Sequence, residues 1–161
     1  MSEYLADIGK VGGVWIGTYR RMHPDGRPIE TFSSRQVSRA EGSTWHEQIT
    51  YLWDDGRSKT MDFVAKLRED GVHVYDEDSL LQGRTYLTGA GQVIFPYRWH
   101  DRPGIQVLEV QHYLRADKRT RIWQRFEQDT LTEIMVIEEV REKTHEEVRQ
   151  AVPAPGPADA P

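Results

Sequence analysis

The stretch TWHEQITYLWDDGRSKTMDFVAKL, from Thr44 to Leu67, decides how the rest of the chain is read. Trp45, Glu47, Ile49, Tyr51 and Trp53 share one parity, and Thr44, His46, Gln48 and Thr50 share the other, which is the period of a half-buried strand. After Asp55-Gly56 the alternation resumes, with Met61, Phe63, Ala65 and Leu67 set against Thr60, Asp62, Val64 and Lys66. Glycine beside Asp supplies the positive φ of a tight hairpin. The segment therefore predicts two antiparallel strands whose Trp45 and Met61 faces point inward.

The same punctuation recurs on both sides of this hairpin. Asp25-Gly26, Glu41-Gly42, Asp70-Gly71, Gly89-Ala90-Gly91, Pro103-Gly104 and Ala116-Asp117-Lys118 separate segments rich in β-branched and aromatic residues. The expected strands are Gly13–Met22, Pro28–Arg39, Thr44–Trp53, Ser58–Leu67, Val72–Tyr75, Arg84–Thr88, Gln92–Trp99, Ile105–Leu114, Thr120–Glu127 and Leu131–Val140. Evenly spaced strands with short turns make an antiparallel meander, and one this long must curl or close because open edges invite pairing. The fold class is all-β: a single antiparallel up-and-down β-barrel of about 8–10 strands. Tyr4–Val11 reads as a short N-terminal helix or lid. Arg141–Gln150 either prolongs the last strand or coils into a short helix. Residues 1–150 form the barrel domain, and the Pro/Ala-rich 151–161 is a disordered tail.

Composition narrows the function classes. The chain has 161 residues, no cysteine and a formal net charge of −5. Without cysteine there is no disulfide framework, thiolate nucleophile or sulfur-ligated metal site. The mildly acidic balance argues against nucleic acid, whose phosphates call for clustered positive charge. No apolar run is long enough to span a membrane, no secretory signal is visible, and a cytoplasmic location is expected. The six histidines are not paired at metal-ligand spacing, and no nucleophile elbow, phosphate loop or dinucleotide fingerprint occurs, so neither metal nor cofactor is read from the sequence. The acidic run Asp76-Glu77-Asp78 reads as a solvated loop.

Gly13-Val14-Trp15 followed by Gly17-Thr18-Tyr19 resembles the Gly-x-Trp opening of lipocalin-type (calycin) barrels. The longer pattern also includes Pro24-Asp25-Gly26, Ile29-Glu30, Phe32, Ser34-Arg35 and Tyr51 ahead of Asp55-Gly56. It is similar to a lipocalin-like domain family of unknown function, distantly related to the bilin-lyase barrels. The resemblance implies that Trp15 closes the barrel floor under an Arg from a late strand, for which Arg121, Arg125 and Arg141 are candidates. The chain departs from secreted lipocalins by lacking disulfides, and from haem-binding barrels of this kind by lacking a His on the final strand.

Within the expected barrel, Glu47 is the sharpest candidate for chemistry. A carboxyl between Trp45, Ile49 and Tyr51 on an inward face either rises in pKa, as a general acid or base requires, or meets a cation. Arg35 on the neighbouring strand is a candidate partner. His112, in a long apolar strand beside Tyr113, is a second acid–base candidate, set against a plain hydrogen-bonded histidine. Arg119, Arg121 and Arg125 alternate around Trp123. Pointing inward they form a cationic wall for a carboxylate, phosphate or enolate. Pointing outward, the direction marginally favoured, they are a solvated face with partners such as Glu133 and Glu139. Tyr19, Trp45, Tyr51, Trp53, Phe63, Tyr97, Trp99, Tyr113 and Trp123 either fill the core or line a cavity suited to a flat guest.

Three functions follow. The first is a barrel that binds a small hydrophobic or aromatic molecule in its interior. The second is a cofactor-independent cyclase, isomerase or lyase of secondary metabolism that uses Glu47 or His112 in the same cavity. The third is a protein-interaction module with a filled interior. A barrel with an exposed aromatic mouth could also form a homodimer, mouth to mouth.

Overall fold

The computed structural model describes residues 11–88 and 91–151. The chain forms β1 (Gly13–Met22), β2 (Pro28–Glu41), β3 (Thr44–Leu52), β4 (Ser58–Leu67), β5 (His73–Val74), β6 (Leu81–Gly83), β7 (Tyr86–Leu87), β8 (Gln92–Trp99), β9 (Ile105–Arg115), β10 (Lys118–Glu127) and β11 (Thr130–Thr144), then a short helix α1 (His145–Ala151). Arg141–Thr144 thus prolongs the last strand, and the helix begins at His145. The expected N-terminal helix or lid at Tyr4–Val11 and the 151–161 tail lie essentially outside the described residues.

All strands belong to one antiparallel sheet in the order β5-β4-β3-β2-β1-β11-β10-β9-β8-β6, with β7 also pairing β8. Consecutive strands are neighbours from β1 to β5 and from β8 to β11, β6 and β7 both pair β8, and β1 pairs the last strand, from Gly13 against Thr144 to Met22 against Ile134. The two sheet ends then approach each other. Val74 bridges Arg84, the Tyr75 amide donates to the Gly83 carbonyl at 2.8 Å, and the Thr85 amide donates to the His73 carbonyl at 3.0 Å. The result is one nearly closed up-and-down barrel, which removes almost all free edge.

The sequence placed the long strands well and the short closing strands less well. Leu81–Gly83 is a strand that no periodicity announces, and the expected Arg84–Thr88 shrinks to Tyr86–Leu87 with an isolated bridge at Arg84. The loop before β6 is not solvated at its last acid. Asp78 is buried and accepts the Val64, Leu80 and Leu81 amides at 2.7, 2.7 and 3.0 Å, anchoring the crossing between the two sheet ends.

Two hairpins share one construction. In His23–Arg27 and Trp53–Arg57, Gly26 and Gly56 adopt φ of 88° and 87°, and the preceding Asp accepts both the backbone N–H and the Nε–H of the following Arg. At the other end of the barrel, here called the helix end, α1 lies against the start of β1. A Cβ on Gly12 would sit 2.6 Å from the His145 ring, so only glycine lets the two approach. His145 is buried, and its Nε2 accepts the Ala40 amide at 2.9 Å.

The outer wall is uneven. Tyr86, Ile94, Val110, Ile122 and Val136 are paired in register across β7 to β11, forming an apolar outward row. Over β2 to β4 the outward positions instead carry Arg35, Arg39, Asp62 and Lys66.

Candidate functional site

The inward parities converge on a charged centre. β3 directs Trp45, Glu47, Ile49 and Tyr51 inward, β9 directs Val107, Glu109, Gln111 and Tyr113, β10 directs Arg119, Arg121, Trp123 and Arg125, and β11 directs Ile137 and Glu139. Alternation along a pleated strand fixes each set once one member is buried. The arginine row therefore faces the interior, against the marginal preference for an outward one. The reason lies across the strand: in β10 the outward partners are Thr120, Ile122 and Gln124, while inward Glu109 and Glu139 supply the counter-charges.

Glu139 is fully buried, and its carboxylate holds both guanidiniums, with Arg119 Nε at 2.5 Å and Arg121 Nε at 3.5 Å. Arg119 also donates to the Gln36 carbonyl oxygen at 2.7 Å and to the Tyr113 hydroxyl at 3.3 Å. Arg121 donates to the Tyr19 hydroxyl at 2.5 Å and lies 3.6 Å from Glu109. Glu109 accepts from Gln111 Nε2 at 2.8 Å. Burial pushes the Glu139 carboxyl up, but Arg119 and Arg121 together outweigh this and hold it below the ordinary carboxylate range. The guanidinium of Arg119 also lies 4.3 Å from the Trp15 ring centre, and that of Arg141 lies 5.4 Å away, so Arg119 rather than Arg121 or Arg125 makes the nearest cover of the barrel floor. Trp15 in turn donates its indole N–H to the Val11 carbonyl at 3.1 Å.

Two chambers flank this centre. The one toward the helix end has a volume of about 220 Å³ and takes Trp45, Tyr113, His73 and Gln36 into its walls. The other, about 110 Å³, is walled by Tyr19, Tyr51, Phe63, Tyr97, Trp99 and Trp123. Glu47, Tyr75, Phe95, Glu109 and Arg121 line both and so form the partition. Around the second chamber the rings pack edge-on or tilted, as Tyr19 does on Tyr51 at 5.5 Å and Tyr97 on Trp99 at 5.6 Å, and Trp123 Nε1 donates to the Tyr97 hydroxyl at 2.5 Å.

Glu47 differs from the other central acids. Among the described residues its one hydrogen bond is a 3.5 Å approach of the Trp45 indole N–H. Burial raises its carboxyl above the ordinary range, and Glu109 adds to this against the pull of Arg121 and Arg119. His73 is a second unsatisfied group on the helix-end chamber. Its ring stands edge-on to Trp45 at 4.7 Å, its Nε2 has no partner among the described residues, and burial pushes its pKa down to about 4, which keeps it neutral at physiological pH.

Four of the expected site residues lie elsewhere. His112 points outward, 2.7 Å from Gln92 Nε2 on the neighbouring strand, because β9 turns its odd-numbered residues inward. Arg35 is on the outer wall, half-exposed and 3.9 Å from Glu142, so it is no partner for Glu47, whose cross-strand neighbour is Ser38. Trp53 stacks on Phe32 at 4.9 Å beyond the end of β3, outside both chambers. Arg125 faces inward but pairs with Glu127 at 2.7 Å near the far end of the barrel. Sequence reading missed Glu109, His73, Tyr75, Phe95 and Gln111. The Val107-Glu109-Gln111-Tyr113 parity was the available signal, masked by an equally apolar set on the opposite face of β9.

Searches against known proteins give a fold. A protein of unknown function from the DUF3598 family of Nostoc punctiforme matches with a TM-score of 0.69 at 17% identity, over 84% of this chain and 49% of its own. The chain thus spans about half the length of that protein. An S-type phycobiliprotein lyase from Guillardia theta matches with a TM-score of 0.63 at 11% identity, over 83% of this chain and 89% of the lyase. This chain shares a barrel fold with a phycobiliprotein lyase. At such identities the likeness covers the path of the chain and not the site. No family model and no curated protein matches the sequence.

Proposed function

We propose that the barrel is a small-molecule-binding protein that encloses a hydrophobic or aromatic guest. The observation that carries this reading is the pair of aromatic-walled chambers on either side of Glu47, Glu109 and Arg121. Ligand sites are concave, mostly apolar, and hold a few placed polar groups. The lyase neighbour's name points toward a linear tetrapyrrole as one guest class. The chambers favour a smaller body, because at about 220 and 110 Å³ they reach only the low end of the ordinary range of roughly 300–1,000 Å³ when taken together. Titration calorimetry with biliverdin and with three-ring aromatics tests the reading, alongside native mass spectrometry of the purified chain. A guest held one-to-one and released unchanged supports it. No retention of either class overturns it.

A second reading is favoured by Glu47, whose carboxyl lines both chambers and is raised above its ordinary range by burial. In this version the barrel is a cofactor-independent cyclase, isomerase or lyase in which Glu47 moves the proton. A guest recovered chemically altered, with conversion lost in Glu47→Gln while that guest still binds, selects this reading over simple carriage.

A further inference from the structure

The acids at the centre of the barrel outnumber the cations. Glu109 and Glu139 pair with Arg119 and Arg121, and Glu47 is a third acid that stays uncharged only while it keeps a proton. Both cations already have carboxylate partners. Arg119 spends its donors on Glu139, Gln36 and Tyr113, and Arg121 sits among Tyr19, Glu109 and Glu139. Arg121 Nε has no hydrogen-bond partner among the described residues, but an anion seated on it would lie beside Glu109 and Glu139, whose carboxyls already approach that nitrogen at 3.6 and 3.5 Å. Glu47 is the acid left over. It lines both chambers, and its only hydrogen bond among the described residues is the long one from Trp45.

The geometry points to a guest that carries a protonated nitrogen on a flat apolar body, seated with that nitrogen on the Glu47 carboxyl where the two chambers meet. This deepens the ligand-binding reading and rests on it. The aromatic walls accept the body, and the surplus carboxylate supplies the counter-charge that a desolvated cation requires. The complex is then neutral at its centre, with each guanidinium and the guest nitrogen matched by one carboxylate.

Binding of such a guest is linked to protons. In the empty barrel burial favours the protonated Glu47, and a cation favours the carboxylate, so seating the guest expels a proton and affinity rises with pH until Glu47 is ionised without help. Of the groups around this centre, Arg121, Arg119 and Glu109 act on Glu47 electrostatically and Glu139 on β11 is ion-paired to both arginines, while the tyrosines Tyr51 and Tyr75 are pushed upward by burial and His73 stays neutral down to about 4.

Three probes of similar outline decide the matter in the full chain: aminoacridine as the cation, anthracenemethanol as the neutral body and anthracenecarboxylate as the anion. Calorimetry in two buffers of different protonation heat reads both affinity and protons. The expected result is that the cation binds about tenfold or more tighter than the neutral body and the anion weakest, with up to about one proton released per cation bound. Glu47→Gln, which keeps the shape of the side chain, is expected to erase the cation preference and the proton release while the neutral body still binds. A wild-type protein that prefers the anion, or a Glu47→Gln variant that keeps the cation preference, overturns the inference. Neutral binding with no charge preference removes the inference and leaves the ligand-binding reading intact. Failure of all three probes to bind removes both.

Discussion

The sharpest consequences at the residue scale concern buried ionisable groups. Glu139 is the shared counter-ion of Arg119 and Arg121, and removing one member of a buried ion set leaves uncompensated charge in a low-dielectric interior. Glu139→Gln is therefore expected to cost about 3–5 kcal/mol in urea unfolding, far more than a surface carboxamide exchange. Its pKa falls on folding, so its contribution is complete above the ordinary value of 4.5 and fades as the pH drops through the lower folded value. His73 acts in the same direction at higher pH. Burial lowers its pKa from 6.5 to about 4, the unfolded chain takes up the proton first, and stability declines as the pH falls through that window. His73→Phe removes both the unpartnered Nε2 and the proton uptake. Melting temperatures at pH 7 and pH 5 should differ less in this variant than in the wild type.

Among the elements, the long strands were legible in the sequence and the closure was not. The Thr44–Leu67 hairpin announced itself because an Asp-Gly turn separates two clean alternations, and its inward face is the one observed. Direction became ambiguous where both faces are apolar or where charges face inward. His112 was misplaced for the first reason, since Leu108 and Val110 accompany it outward while Val107 and Tyr113 go inward. The arginine row was hard to read for the second, because its compensation comes from Glu109 and Glu139, on strands distant in sequence. The turn between β10 and β11 lacks glycine altogether, Gln128 and Asp129 taking φ of 46° and 65°, so no standard marker was present. The strands that close the barrel are two or three residues long, too short for any period to show. That seam should be the least protected part of the sheet. Amide exchange at Tyr75 and Thr85 is expected to outpace exchange in the β1–β11 ladder. Gly83 on β6 has no room for a side chain, with the Pro96 carbonyl oxygen 2.5 Å and Tyr97 Cβ 2.8 Å from where a Cβ would stand. Gly83→Val should cost about 1–3 kcal/mol in the same unfolding measurement, as other overpacking changes do.

For the molecule as a whole, the barrel separates an interior of buried ionisable groups from an outer wall of two characters. The register-matched row from Tyr86 to Val136 makes one side apolar, and Ile122 on that row is 39% exposed. Nothing in the fold requires an apolar side chain there. Ile122→Lys is expected to leave stability within about 0.5 kcal/mol and to shorten retention on a hydrophobic-interaction column.

The placement of the indole rings provides a built-in optical readout. Trp45 stands in the wall of the helix-end chamber, Trp99 and Trp123 stand in the wall of the other, and Trp15 lies beneath Arg119 at the floor, out of solvent. With the other four indoles replaced by Phe, emission from Trp45 alone or from Trp123 alone would tell which compartment a molecule has entered.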